Sequence, residues 1–103
     1  MKIRIIYDNA VGLILPDAEV NLWVNDLVRT YETSKEDYSV TVANEIIVMA
    51  VRLAVCQGRI NHEDIVFVFM EQEVPMDKNA RIENWPNGFC DTYDRILDGL
   101  LGF

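Results

Sequence analysis

Positive charge is scarce in this chain: Lys and Arg number 9 against 17 Asp and Glu, a formal net charge of −8. A field of that sign repels phosphate backbones. The few cations (Lys2, Arg4, Arg29, Lys35, Arg52, Arg59, Lys78, Arg81 and Arg95) are scattered through the sequence. No direct nucleic-acid binding is expected. Histidine occurs once, as His62, and the 2 cysteines, Cys56 and Cys90, lack CxxC spacing. A metal site needs three or four converging ligands, so none is expected; His62 reads as a solvated loop residue. No disulfide framework is expected from these cysteines, so a reducing, cytoplasmic setting is the expectation. No apolar run reaches the ~18 residues of a membrane helix. The opening MKIRIIYDNA carries no secretory signal pattern. Low-complexity tracts, repeats and linkers are also lacking, which leaves one domain over residues 1–103.

What the chain does have is a core. Half its residues are apolar and a quarter charged, an ordinary globular balance that argues against disorder. Residues 2–7 are isoleucine-rich and predict a strand. Residues 11–15 predict a second, stopped by Pro16, which has no N–H for a ladder. Asp17 is expected to cap a helix whose apolar face holds Val20, Trp23, Val24, Leu27, Val28 and Tyr31 at helical spacing.

Residues 38–43 (YSVTVA) are β-branched and predict a strand. Asn44 should cap a helix running to about Gln57 and stopped by Gly58. That helix is apolar nearly all round, so burial on more than one side is expected, with Cys56 a core thiol. Residues 65–70 (IVFVFM) have the continuous apolar character of a covered central strand. Residues 71–79 read as an acidic loop and 80–85 as a short edge strand. Pro86-Asn87-Gly88 is a turn, after which Asp91 opens a last helix with Tyr93, Ile96, Leu97, Leu100 and Leu101 inward. The alternation predicts an α/β fold: a small mixed, mainly parallel sheet with about three helices on its two faces.

Three stretches resemble the C-terminal lobe of OLD-like and related ABC-type (RecF/SMC-like) AAA ATPases. LILPDAEVNLWV, 13–24, is similar to that family's strand with two acidic residues and the helix start behind it. VTVANEIIVMAVRLAVCQGRI, 40–60, keeps a Glu followed seven residues later by an Arg, as Glu45 and Arg52, and a Gly as Gly58. EDIVFVFMEQE with RIENWPNGF and the Cys-Asp after it is similar to a strand, an acidic linker and a Trp-Pro-x-Gly-Phe-Phe-Asp motif. Trp85, Pro86, Gly88, Phe89 and Asp91 match, while Cys90 replaces the second Phe. The resemblance covers roughly residues 11–103 and implies a half-lobe of such an ATPase.

The departures fall on the nucleotide-handling positions. The chain has no GxxxxGK[ST] to cradle phosphate. By the resemblance, the Walker B acid that helps hold magnesium falls at Pro16, the catalytic glutamate at Asp17 and the switch histidine at Ala43. Asn21 and Trp23 replace the flanking histidines. What is implied is a degenerate lobe without catalytic, cofactor-binding or metal-binding residues, and so not an enzyme.

The leading expectation is a non-catalytic protein-interaction module, a phage or mobile-element protein acting on an ATPase complex. Trp85, Phe89 and Asp91 are the candidate interaction residues, because aromatics concentrate at binding hot spots; the competing reading packs Trp85 and Phe89 as a plug over the sheet. An acidic mimic of nucleic acid that blocks a DNA- or RNA-binding protein is a second reading, and a small metal-dependent enzyme using Asp17 and Glu19 a third. An isolated half-lobe exposes an apolar edge or face, so a homodimer is expected.

Overall fold

A computed structural model describes residues 1–90 and Leu100. In order, the elements are β1 (Ile3–Tyr7), α1 (Asp17–Thr33), β2 (Tyr38–Val42), α2 (Glu45–Cys56), a 3-10 turn (His62–Asp64), β3 (Ile65–Phe69) and β4 (Gln72–Val74). The sheet runs β2-β1-β3-β4. β1 lies parallel to both β2 and β3, and β4 is antiparallel to β3. The fold is therefore α/β with a small mixed, mainly parallel sheet. Two helices, α1 and α2, fall within the described residues; of the third, expected from Asp91 onward, only Leu100 is described, and it is helical but 77% exposed rather than turned inward.

Strand alternation decides which face is covered. Ile3, Ile5 and Tyr7 of β1 are buried and in register with Ile65, Phe67 and Phe69 of β3. Arg4 points to the other face, where it meets Glu73 of β4 at 2.9 Å. Among the described residues α1 and α2 pack on each other and share one layer, rather than lying on both faces. Val20, Val24, Leu27 and Val28 of α1 join Ile47, Val48, Val51, Ala54 and Val55 of α2 in the core. Each large aliphatic side chain buried there contributes about 1.5–3 kcal/mol.

Several local expectations are corrected. Residues 11–15 do not form a strand. Leu13 makes a single bridge to Val42, and the Asn44 side chain then binds both backbone groups of Leu15, at 3.1 and 3.0 Å. Asn44 thus stands at the start of α2 with its amide spent elsewhere, and caps no helix N–H. Gly12 is needed at this crossing, since a Cβ there would lie 2.3 Å from the Val42 carbonyl carbon. The cap of α1 is Pro16, with Asp17 its first helical residue.

The acidic loop contains β4, because the chain reverses tightly at Met70 and Glu71, both with positive φ. Residues 80–85 do not form an edge strand. Asp77 accepts the N–H groups of Asn79 and Arg81 and Ala80 has a φ of 61°, so the chain coils up where a strand would need to extend. Asp77 is held below the usual carboxylate range, mainly by the Arg81 N–H. Among the described residues no helix is long and apolar enough to cross a membrane.

Candidate functional site: Trp85 and the outer face of α2

The Trp85-Phe89 motif is built around a tight turn. Phe89 N–H donates to the Pro86 carbonyl at 3.2 Å, and Gly88 supplies the required φ of 83°. The turn drives Phe89 into the sheet, where it is 0% exposed. Its ring centroid lies 5.3 Å from that of Phe69, 5.8 Å from Tyr7 and 5.9 Å from Phe67. A side chain with no exposed surface touches no partner in this fold; the direct-contact role expected for Phe89 gives way to the plug.

Trp85 is half-buried above it, centroids 5.7 Å apart, and donates Nε1–H to the Phe89 carbonyl at 2.6 Å. Arg52 of α2 stacks on the indole with its guanidinium carbon 4.9 Å from the ring centroid. The same guanidinium donates from Nε and Nη2 to the Ala80 carbonyl, at 3.2 and 2.9 Å. Arg52 thereby ties α2 to the coil at 77–81 and to the Trp85 turn. Asp91 lies outside the described residues.

Beside this tie, α2 presents a face that sequence reasoning assigned to the interior. Only one side of α2 meets the sheet and α1. Ile46, Met49 and Leu53 remain 41%, 43% and 55% exposed. Cys56, expected in the core, is exposed on the same side. These residues line a groove of about 590 Å³ with Ala50, Arg52, Asn79 and Ala80, opposite Asp17, Val20 and Asn21 of α1. The spacing 46, 49, 53, 56 follows the three-and-four step of a helix-packing seam. That spacing was readable; hidden was which of the two apolar sides of α2 the sheet would take.

A more polar hollow of about 650 Å³ is lined in part by His62, Glu73, Asp77 and Arg81. Three of those groups are already engaged. His62 Nδ1 lies 3.1 Å from the Met76 carbonyl, Glu73 pairs with Arg4, and Asp77 holds the coil described above. His62 is thus half-buried against the backbone rather than fully solvated.

Another network closes the opposite end of the sheet. Tyr31 of α1 donates to Asp64 at 2.6 Å, and Lys2 pairs with the same carboxylate at 3.1 Å. The Tyr31 hydrogen bond and Lys2 hold Asp64 below its ordinary value. The same bond, with desolvation, raises the Tyr31 phenol. These contacts join α1, the residue preceding β1 and the 3-10 turn. Asp17 and Glu19, weighed as a metal pair, stand in the first turn of α1. Among the described residues no three His, Cys, Asp or Glu converge where a metal would sit. Cys90 is buried.

Comparison with protein-family models, with curated proteins and with solved structures gives no significant match.

Proposed function

We propose that this chain is a non-catalytic protein-interaction module that offers the α1–α2 groove to a protein partner in the cytoplasm. The single observation carrying this reading is the seam of Ile46, Met49 and Leu53, left exposed on a helix whose other side is fully packed. Exposed apolar residues scattered singly mean little, but an aligned set along a groove marks a binding surface. By the resemblance to ABC-type ATPases, the chain is a degenerate half-lobe and its partner an ATPase complex, the chain coming from a phage or other mobile element. Two of the residues carrying that resemblance, Arg52 and Trp85, touch each other. That contact favours a retained scaffold, while Pro16, Asp17 and Ala43 stand where nucleotide-handling residues would be.

The test is capture from the native lysate with tagged wild-type chain and with Leu53→Glu, at low and high salt, read by mass spectrometry. An ATPase partner held by the wild type at high salt and lost by the variant supports the reading. A partner kept equally by both chains refutes the groove as the site. A nucleic-acid-binding protein released by salt alone moves the weight to charge mimicry, the reading that the net charge of −8 favours.

A further inference from the structure

We infer that the occupant of this groove is an amphipathic α-helix of the partner protein, with Lys or Arg bordering its apolar stripe. The inference rests on the interaction-module reading and adds the chemistry of what is bound.

The shape of the groove comes first. Its long walls are two helices, α1 and α2, closed at one side by Asn79 and Ala80. Backbone N–H and C=O groups within a helix are spent on that helix, so these walls offer no ladder for an added strand. What they offer is side chains at alternating steps of three and four along α2. A partner helix packs its own ridge against such a row at an axis distance of about 8–10 Å. The seam from Ile46 to Cys56 rises about 15 Å, nearly three turns, which accommodates anchors at i, i+3 or i+4, and i+7 of the incoming helix. Met49 at the centre has the rotatable, polarisable side chain that adapts to such anchors.

Charge decides between a foreign helix and a second copy. Of the charged groups lining the groove, Arg52 is already committed to the Ala80 carbonyl and the Trp85 ring. Those partners are neutral, so the Arg52 charge remains and balances Asp17 on the opposite wall; the charge of the whole chain then decides. The whole chain carries −8, and two such copies repel, whereas a basic helix is drawn in.

The probes are two synthetic peptides of about 18 residues, long enough to be helical. Both carry one leucine stripe at i, i+3, i+4 and i+7; one has Lys at all other positions, the other Glu. The full chain, with methionine methyls labelled with carbon-13, is titrated with each, and the Met49 methyl signal is followed. The Lys peptide should shift that signal, with affinity falling as salt rises, and the Glu peptide should bind at least tenfold more weakly. Leu53→Glu should lose the Lys peptide. That variant adds negative charge, so mere attraction of a cationic peptide to an acidic protein would grow rather than vanish. Ile46→Glu serves as a second variant, and circular dichroism confirms that each is folded.

Three outcomes overturn the inference: a Met49 signal unmoved by the Lys peptide, equal affinity for both peptides, or a wild-type dimer in sedimentation that Leu53→Glu dissolves. If the peptides fail while lysate capture still depends on Leu53, the helix is refuted and the interaction module stands. If both fail, both readings fall.

Discussion

Removing the Phe89 ring should cost more than any other single truncation in the motif of residues 85–89. The ring has no exposed surface and sits against four other aromatic rings, those of Tyr7, Phe67, Phe69 and Trp85, at centroid distances of 5.3 to 5.9 Å. Phe89→Ala leaves a cavity under the turn, and buried Phe→Ala changes cost about 3–5 kcal/mol. A domain of this length holds only about 5–15 kcal/mol in total, so the variant should be close to unfolding at 37 °C. Phe89→Leu keeps most of the apolar burial and loses the ring–ring geometry, each pair contributing about 0.5–1.5 kcal/mol. With neighbouring contacts not additive, about 1–2 kcal/mol is expected for that variant. Urea unfolding followed by far-ultraviolet circular dichroism reads both changes without relying on Trp85, whose emission the mutation itself perturbs. If both variants unfold within about 0.5 kcal/mol of wild type, Phe89 is not a plug and the packing argument is wrong.

Further outcomes follow from other sites. Gly12→Ala should lower stability by at least about 2 kcal/mol, because the new Cβ meets the backbone of β2 rather than a movable side chain; thermal unfolding reads it. Met70→Asn combined with Glu71→Gly should raise the melting temperature, since both residues hold the positive φ of the β3–β4 turn (50° and 65°), and non-glycine residues pay about 1–2 kcal/mol each for that conformation. The Tyr31–Asp64 bond predicts stability lost at both extremes of pH. Asp64 is lowered from 3.8 by Tyr31 and Lys2, so its contribution is present above about pH 4 and fades as pH falls through its depressed value. Tyr31 is raised from 10.0 by Asp64, so its contribution is present below about pH 10 and fades as pH rises through its elevated value. Tyr31→Phe should cost about 1 kcal/mol near pH 7 and flatten both limbs of the curve; limbs that persist unchanged in the variant would falsify the assignment.

The sheet was legible where the sequence carried period-two or continuous apolar runs. Residues 2–7, 38–43 and 65–70 each contain an observed strand, one residue shorter at one end. The helices were legible from the spacing of Val20, Val24, Leu27 and Val28 and from the length of the run after Asn44. Side-chain competition for the backbone was not. Asn44 reads as a cap from its type and place, yet its amide reaches 29 residues back to Leu15, a contact with no local signature. The two-residue reversal at Met70 and Glu71 lacks the Asn or Gly that announces such turns, so β4 passed for loop. Ala80 likewise takes positive φ with no residue type to signal it.

The candidate site was half legible. The motif of Trp85 and Phe89 stood out in the sequence, and the structure divides it between a core ring and a half-buried indole held by Arg52. Ile46, Met49 and Leu53 were hidden by composition. A helix with apolar residues on two sides does not disclose which side faces inward until its neighbours are placed, and here α1 and the sheet take only one.

The outer face of α2 as the contact surface is most directly tested by photo-crosslinking. A benzophenone amino acid is placed at position 53 in one chain and at position 36, an exposed loop site, in another, and each is irradiated in the native cells. One protein joined to the chain through position 53 and absent at position 36 is the predicted result. Equal labelling at both positions, or a partner joined only at position 36, would contradict the account.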